Sequence, residues 1–502
     1  MSQSTFDKNL AAIQNKNPAL AAKILSAQKA DDYRTVETSK TGMDIPIFKN
    51  GHLLYSKYNP EKECASLFHA QEDFILFCGL ASGIHIAYFL KNFPGKNCAV
   101  TEISLETYKA LLSLTDLSAV LKNKLVRILP PISDADFAKE LAQHYLPALD
   151  GNFRVLSLRA WENFYADRIF EINKKISNAI QNIQTDTATQ ARFARIWLKN
   201  ILHNLQVLST NAPKFPKTDT KKTALICGAG HSLTEAIPRL KKERERFVVF
   251  ASDTGFLPLL QNGIEADFFL SIDPQIFSLA HFDTALPKHT VGVFDLCGLD
   301  ILARQFLRQG NEIFFTASRH PLVQYAAQFS PLPFAHSSSG TVAVYALDVA
   351  YRLGFTKFEY AGMDFCYAKG KAYANGSYFQ KKTIRSAYKL FSTETFFTDL
   401  MFRTHVEKII DKTKITYTNE ILNFYRNSLQ QYRFDGQGWS EQNFQSFPYK
   451  KFFKYLLSDL EKESESVSNA MLPFLLYCIY EKKKYTKALA IQSILKYNRS
   501  YE

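Results

Sequence analysis

The chain has 502 residues, enough for about two to four domains with hydrophobic cores of their own. Its 46% apolar and 22% charged residues are ordinary for a soluble globular protein, and the net charge of +13 suggests acidic partners such as nucleotides or phosphorylated sugars. The Lys and Arg residues are spread along the chain, which argues against nucleic acid as a partner, and no stretch has the character of a transmembrane segment.

The cysteines and the N-terminus bear on the compartment. Seven Cys residues occur without CxxC spacing, so the sequence predicts neither a disulfide framework nor a zinc site. The N-terminus shows no signal peptide, and we therefore expect a cytoplasmic protein.

The first 160 residues predict a helical segment followed by an α/β domain. Residues 1–50 are polar with helical spacing, and residues 51–160 have the outline of a Rossmann-like domain. One apolar strand opens into a turn at Gly79, and the next strand ends in Glu102, an acid that could meet a ribose. Because the turn is short of glycines, we expect a purely structural domain here, with nucleotide binding as the alternative.

The remaining chain predicts a helical connector, a central α/β domain and a helical end. Residues 161–220 are helical and close in a Pro- and Lys-rich linker. In residues 221–385, apolar runs alternate with helical segments, which is typical of parallel β-α-β units. Residues 386–502 have helical spacing to the end, which suggests a packing module or a homo-oligomer contact. The predicted central strands are 223–228, 247–253, 267–273, 289–295, 312–316 and 357–364.

A glycine turn follows the first central strand, where Gly228 and Gly230 flank Ala229 and precede His231 and Ser232. In a parallel sheet the ligand site lies outside the carboxyl ends of the strands, and glycines there let backbone N–H groups approach a phosphate at a helix N-terminus. Ser232 can cap that helix or contact the phosphate. The turn is not a P-loop, because no Gly-Lys-Ser/Thr follows it, and it lacks the third glycine of a nicotinamide site.

A second anion site is predicted at a serine-rich turn before an amphipathic helix. Residues 336–341 read His-Ser-Ser-Ser-Gly-Thr, and helical spacing follows from 342 to 353. His336 could be a general base or a phosphate contact, or it could face solvent.

Four predicted strands of the central domain close on aspartate. One such residue is often a helix cap or a turn residue, but four at one edge, beside two anion sites, predict a cleft for a nucleotide-linked substrate. Their carboxylates suit ribose hydroxyls, a metal ion or the proton of an attacking hydroxyl. The four are Asp253, Asp273, Asp295 and Asp364.

In this order, the motifs resemble those of the motility-associated factor (Maf) family of flagellin glycosyltransferases, whose core is also called the MptE-like domain after a 6-hydroxymethylpterin diphosphokinase. The resemblance covers roughly residues 50 to 380. His231 stands where the family usually has Pro, and 373–376 lacks the His of the family's HAxG element. The matching motifs are 228–233, 251–253, 266–274, 339–343 and 362–364.

The resemblance implies a central domain similar in fold to sialyltransferases and a CMP-activated nonulosonic acid as donor. Members of the family are thought to transfer such sugars to Ser or Thr of flagellin in the cytoplasm of flagellated bacteria. The resemblance therefore predicts a CMP-linked nucleotide sugar as substrate, flagellin as partner and a glycosyltransferase activity.

The predicted site residues follow from the turns and the strand ends. No metal ligand is assigned, although Asp253 and Asp273 are the candidates if the reaction needs Mg²⁺. The expected catalytic residues are Asp273, Asp364 and His336, and the expected donor-binding residues are Gly228, Gly230, His231, Ser232, Asp253, Thr254, Ser338, Ser339, Gly340 and Thr341.

Two alternatives stay open at this point. The same phosphate cradle and carboxylates would serve diphosphate transfer from ATP to a pterin-like alcohol, with Mg²⁺ between aspartates. A non-catalytic flagellar assembly factor could also keep a nucleotide-binding fold, with its helical ends as the partner surface.

Overall fold

The computed structural model describes residues 4–282, 285–337, 340–411, 414–434 and 436–499. Their contacts divide the chain into two compact units at residues 190 and 191. Each unit is built around a parallel sheet of its own.

The first unit contains two helices, an antiparallel hairpin and an α/β sandwich. Its elements are α1 (Thr5–Gln14), α2 (Pro18–Ser26), β1 (Tyr33–Thr38), β2 (Asp44–Phe48), α3 (Pro60–Ala65), β3 (Phe74–Cys78), α4 (Ile84–Asn92), β4 (Cys98–Thr101), α5 (Leu105–Leu114), α6 (Ser118–Lys122), β5 (Val126–Ile128), α7 (Phe137–His144), α8 (Pro147–Asp150), β6 (Phe153–Ser157), α9 (Arg159–Phe164) and α10 (Ile169–Thr210), the last of which runs past residue 190.

The hairpin corrects the prediction of a helical segment over residues 1–50. Helices α1 and α2 form as expected, but β1 and β2 pair antiparallel from Thr38 opposite Asp44 to Tyr33 opposite Phe48. The β-branched residues of β1 favour a strand, and Ile45 and Phe48 are buried. The parallel sheet of this unit has the order β5-β4-β3-β6.

The second unit contains the larger sheet and the C-terminal helices. Its elements are β7 (Thr223–Cys227), α11 (Ser232–Lys242), β8 (Phe247–Ser252), α12 (Asp253–Gln261), β9 (Phe268–Ser271), β10 (Val291–Asp295), α13 (Asp300–Arg308), β11 (Ile313–Thr316), α14 (Pro321–Ala327), α15 (Val342–Arg352), β12 (Phe358–Ala361), β13 (Tyr367–Ala368), α16 (Tyr378–Ser386), α17 (Thr393–Phe402), β14 (Glu407–Asp411), β15 (Lys414–Thr418), α18 (Glu420–Gln431), α19 (Tyr449–Lys462), α20 (Glu465–Ala470), α21 (Leu472–Tyr480) and α22 (Lys487–Arg499), with 3₁₀ helices at Arg244–Arg246, Ile276–Phe282 and Glu441–Asn443.

The six-stranded sheet of this unit has the order β11-β10-β9-β8-β7-β12, and all its strand pairs are parallel. Strands β8, β9 and β11 are buried along their whole length, as expected for strands covered by helices on both faces. The predicted fold class is confirmed: a central Rossmann-like parallel sheet, an N-terminal α/β region and a largely helical C-terminal region.

The C-terminal region departs from the prediction of continuous helix. Strands β14 and β15 form a hairpin, and β15 also pairs with β13 in an antiparallel sheet of order β13-β15-β14. The alternating Lys-Ile-Thr-Tyr-Thr of β15 favours a strand over a helix. No helix in the described part of the chain has the length and apolar character needed to cross a membrane.

Candidate functional site

The candidate site lies where the strand order of the six-stranded sheet reverses. From β7 the chain moves outward through β8, β9, β10 and β11, and it then returns to add β12 on the other side of β7. In open parallel sheets, ligands bind outside the carboxyl ends of the strands at such a reversal. Strand β7 runs into the glycine turn (residues 228–232) and β12 runs into the segment 362–364, so two of the sequence motifs meet here.

The glycine turn is hydrogen-bonded to the chain that follows β12. The N–H groups of Gly228, Gly230 and Ser232 donate to acceptors within 361–364 at 2.9, 2.9 and 2.8 Å. The third acceptor is Asp364 Oδ2, which lies at the N-terminus of α11, where a carboxylate is stabilised by the helix dipole. These three N–H groups are therefore bonded to the protein itself, and the helix N-terminus already carries a negative charge.

Both glycines of the turn are required by close packing. A Cβ at Gly228 would lie 2.5 Å from the carbonyl oxygen of Gly362, and one at Gly230 would lie 2.3 Å from Asp364 Oδ2. In return, the hydroxyl of Ser232 accepts the N–H of Gly362 at 3.2 Å. The glycines thus bring the turn against the 362–364 segment, a reason for glycine that the sequence reading did not foresee.

Two N–H groups of the turn, which lie between the three bonded ones, are those that could donate to a ligand. The N–H groups of Ala229 and His231 have no acceptor among the described residues. The imidazole of His231 is buried, and its Nδ1 has no hydrogen-bond partner among the described residues. Its Nε2 lies 3.7 Å from the carboxylate of Glu235. Sequence reasoning missed Ala229, because only the fold shows which N–H groups of the turn are already bonded.

The four strand-end aspartates differ in exposure. Asp253 and Asp295 are only 5% and 2% exposed. Asp273 and Asp364 are partly exposed. A carboxylate must reach its substrate to exchange a proton with it, so the two partly exposed residues, both predicted as catalytic, are the ones with access.

Asp253 is held inside the edge of the sheet. Its Oδ2 accepts the hydroxyl of Ser271 at 2.9 Å, and its Oδ1 accepts the N–H of Thr254 at 2.7 Å. The hydroxyl of Thr254 lies 3.3 Å from that of Ser252, which caps α12 through the N–H of Gly255. Asp253 therefore links the ends of β8 and β9, and partly exposed Thr254 lies beside it.

Asp295 joins the end of β10 to the serine-rich turn. It accepts the N–H of Cys297 and the hydroxyl of Ser337, both at 2.7 Å. Burial raises the pKa of the Asp295 carboxyl, although these hydrogen bonds oppose the rise.

Asp273 lies in a turn beyond β9, where its Oδ1 accepts the N–H of Gln275 at 2.9 Å.

The serine-rich turn is anchored at both ends. The N–H of His336 donates to Asp348 Oδ2 at 2.7 Å, and the hydroxyl of Thr341 accepts the N–H of Ala343 at the start of α15. Gly340 has φ of +66° and is exposed. Two residues of the predicted anion site, Ser338 and Ser339, lie outside the described residues.

The two turns share an edge but are not neighbours. The glycine turn ends β7, and Ser337 contacts the end of β10, which is three strands away. At about 4.8 Å per strand, this separation is about 14 Å. Asp253 and Asp273 follow β8 and β9, and so lie along the edge between the two turns.

The residue after Asp364 has a strained backbone that is held from two sides. Phe365 has φ of +47°, a left-handed conformation that costs a bulky residue about 1–3 kcal/mol. The carbonyl oxygen of Phe365 accepts hydrogen bonds from Arg426 Nη2 at 2.9 Å and from the hydroxyl of Thr418 at 3.3 Å. Arg426 Nη2 also donates to the carbonyl oxygen of Asp364 at 3.4 Å. The next residue, Cys366, is half-buried, whereas the other six cysteines are buried.

A cavity of about 430 Å³ lies between α11, α12 and Asn375. No group of three or more His, Cys, Asp and Glu in the described part of the chain is arranged to hold a metal ion, so Asp253 and Asp273 do not form such a group there.

Sequence comparisons place the second unit among known families. Residues 197–370 match the family described as 6-hydroxymethylpterin diphosphokinase MptE-like. The chain is 34% identical to an uncharacterized protein of Treponema pallidum (strain Nichols) over 277 residues, which is 52% of this chain and 98% of that protein. A second uncharacterized protein of the same organism is 33% identical over 188 residues, 38% of this chain and 88% of that protein.

Among solved structures, the chain is similar to the MAf glycosyltransferase from Magnetospirillum magneticum AMB-1. The TM-score is 0.56 at 14% sequence identity, and the match covers 98% of this chain and 89% of that chain. The chain therefore has a glycosyltransferase-like fold that contains an MptE-like domain.

Proposed function

Because this chain belongs to the Maf, MptE-like family, we propose that it is a glycosyltransferase that transfers a nonulosonic sugar from a CMP-linked donor to Ser or Thr of flagellin in the cytoplasm. The observation that carries the proposal is the contact between the glycine turn and Asp364 at the reversal of the strand order. It joins the partly exposed carboxylate of Asp364 to a turn whose Ala229 and His231 N–H groups have no acceptor among the described residues.

The donor phosphate is assigned to the free side of the glycine turn. The N–H groups of Ala229 and His231 face no acceptor among the described residues, and they can donate to phosphate oxygens without displacing Asp364. Thr254 follows β8 at the same edge, and the exposed Gly340 and the partly exposed Thr341 precede α15. We assign these three residues to the nucleotide. Gly228, Gly230 and Ser232 then act by shaping the turn.

Asp364 is assigned as the general base. One of its oxygens is fixed by the N–H of Ser232, which leaves Oδ1 to accept a proton in a set direction. The acceptor hydroxyl oxygen attacks the anomeric carbon, the bond from that carbon to the phosphate oxygen breaks, and the nucleotide leaves with the electron pair. The hydroxyl proton passes to Asp364, while Asp273 and His336 orient the sugar.

The test is a transfer assay with the full chain, CMP-nonulosonic acid and purified flagellin. Asp364→Asn should lower the rate of flagellin modification by a factor of about 10² to 10⁴, the usual contribution of a general base. Asp31→Asn, which changes a carboxylate with 90% side-chain exposure in the first unit, serves as the matched control and should transfer normally. Transfer by the Asp364 variant at the wild-type rate would remove the proposed base.

The family description favours a second candidate, diphosphate transfer from ATP to a pterin-like alcohol. Calorimetry separates the two activities, because a diphosphokinase should bind ATP only with Mg²⁺ and should not bind CMP. A glycosyltransferase of the proposed kind should bind CMP, and Gly230→Val should abolish that binding. Binding of ATP with Mg²⁺ in the absence of any CMP binding would favour the diphosphokinase.

A further inference from the structure

The small antiparallel sheet of the second unit has an open edge. Its order is β13-β15-β14, so β14 pairs with β15 on one side and with no described strand on the other. All five residues of β14 are exposed. An edge of this kind presents unpaired N–H and C=O groups, which can pair with another extended chain.

One face of this hairpin carries an exposed pair of isoleucines. Ile410 lies opposite Ile415, and these side chains are 67% and 49% exposed. Residues directly opposite each other share a face, and on the same face Tyr417 packs its ring 5.3 Å from that of Phe402, which is 47% exposed. Edge strands are commonly protected by charges or proline. Strand β14 has no proline, and although Lys408 lies on this face opposite Tyr417, the Ile410–Ile415 pair stays exposed.

The sheet is attached directly to the candidate site. Strand β13 begins at Tyr367, three residues after Asp364. At the end of β15, the hydroxyl of Thr418 donates to the carbonyl oxygen of Phe365 at 3.3 Å. A strand added to β14 would lie about 14 Å from β13, and Asp364 precedes β13 by three residues, or at most about 10 Å. About four to seven extended residues span this distance at about 3.3 Å each.

The residues of the edge strand indicate the kind of chain that would bind. Strand β14 carries Glu407, Lys408 and Asp411, so its own charges are mixed, and its two isoleucines are its apolar residues. Peptides that add a strand to a sheet gain affinity from main-chain hydrogen bonds and specificity from alternate side chains. The edge therefore suits an extended segment with an apolar side chain facing the Ile410–Ile415 pair.

We propose that β14 docks an extended segment of the acceptor polypeptide by strand addition, and that this docking brings a Ser or Thr a few residues away to Asp364. The inference rests on the proposed function, since it names how that site recognises its acceptor. It assigns the edge to a polypeptide and separates acceptor recognition from donor binding at the glycine turn.

The experiment compares Ile410→Lys with Ile421→Lys, which changes another exposed isoleucine, at the start of α18 and 55% exposed. Two rates are measured with the full chain: transfer to flagellin and hydrolysis of the CMP-sugar donor by water. We expect Ile410→Lys to raise the KM for flagellin about tenfold, corresponding to about 1.4 kcal/mol of lost binding, with unchanged donor hydrolysis. The Ile421 variant should match the wild type in both.

Hydrogen exchange supplies a second readout that needs no substitution. Saturating flagellin should slow amide exchange in residues 407–411 of the wild type. Protection that depends on protein concentration alone would instead identify a second copy of this chain as the occupant and overturn the proposal. An unchanged KM for Ile410→Lys, or no protection by flagellin, would also overturn it. A wild-type chain that neither binds nor hydrolyses the donor would reject the proposed function itself.

Discussion

Each unit of this chain has a glycine turn after the first strand of its parallel sheet, and the two turns are closed in different ways. In the first unit the indole of Trp161 covers the turn, and its nearest atom would lie 2.7 Å from a Cβ at Gly79. In the second unit the turn can pack against residues 362–364 because Gly228 and Gly230 have no side chains. A glycine turn can thus serve the packing of the protein before it serves a ligand.

The two turns differ in the exposure of the acidic residue that accepts a backbone N–H beside each of them. Glu102 Oε1 accepts the N–H of Leu80 at 2.5 Å, much as Asp364 Oδ2 accepts that of Ser232. Glu102 is fully buried, and burial raises the pKa of its carboxyl to about 7. Asp364 is partly exposed. The same local pattern therefore gives a carboxyl group out of reach of substrate in one unit and an accessible one in the other.

The largest expected effect comes from Gly230→Ala, which tests whether the second turn depends on close packing. The added Cβ would overlap Asp364 Oδ2 and displace it from Ser232, so we expect about 3 kcal/mol of lost stability together with loss of CMP binding. Thermal unfolding and calorimetry give the two values. Gly438→Ala is the control, because its Cβ would meet a backbone oxygen only at 3.4 Å. Normal CMP affinity in the Gly230 variant would show that CMP binding does not depend on the close packing of this turn.

Gly79→Ala applies the same change to the first turn. The residue has φ of +96° and its Cβ would meet the Trp161 ring, so we expect a loss of about 2–3 kcal/mol in unfolding free energy. Donor affinity and transfer should stay at wild-type values. Gly95→Ala, with φ of +80° and no neighbour within 4 Å, isolates the backbone cost from the overlap. A parallel fall in CMP affinity would show that the first turn also serves the ligand.

A pH series sharpens the contrast between the two acids. The folded protein keeps the Glu102 proton up to a pH of about 7, whereas the unfolded chain releases it near its ordinary pKa of 4.5. The unfolded chain then binds fewer protons, so the free energy of unfolding falls as the pH rises through this interval. At about 1.4 kcal/mol per pKa unit the fall is about 3 kcal/mol.

Glu102→Gln removes this titration while keeping an oxygen for the N–H of Leu80. Its free energy of unfolding should change less than that of the wild type between pH 4.5 and 7.5. Denaturant titrations at the two pH values measure the difference. Equal pH dependence in both proteins would mean that Glu102 is not held protonated by burial.

The smallest effect is expected for Ser232→Ala. The change removes the acceptor of the Gly362 N–H and leaves the N–H of Ser232 on Asp364, so about 1 kcal/mol of stability should be lost. CMP affinity should fall only a few-fold, as measured by calorimetry. Complete loss of CMP binding would instead assign the Ser232 hydroxyl to the ligand.

Much of the second unit could be predicted from local pattern. Strands buried on both faces appear as apolar runs, and turns and helix starts carry their own residue preferences. Since parallel strands end at one edge, the sequence predicts that edge for the four aspartates and both turns, although it does not give the distances between them. The hairpin of β14 and β15 was missed, because its short strands carry Glu407, Lys408 and Lys414 within a long helical region.

Long-range pairing could not be predicted. Ser232 and Asp364 are 132 residues apart, and nothing near either residue indicates the other. The same holds for Trp161 over Gly79 and for the buried setting of Asp253. Burial and partner choice are set by the packing of distant elements, and they decide which carboxylates can serve chemistry.

The half-buried thiol of Cys366 can report on ligand binding at the candidate site. It lies two residues beyond Asp364, while the other six thiols are shielded inside the protein. Burial raises the pKa of the Cys366 thiol, so an alkylating reagent will label it slowly at neutral pH and faster in alkaline buffer. Peptide mass mapping of that single adduct can therefore follow occupancy of the neighbouring edge without any engineered tag.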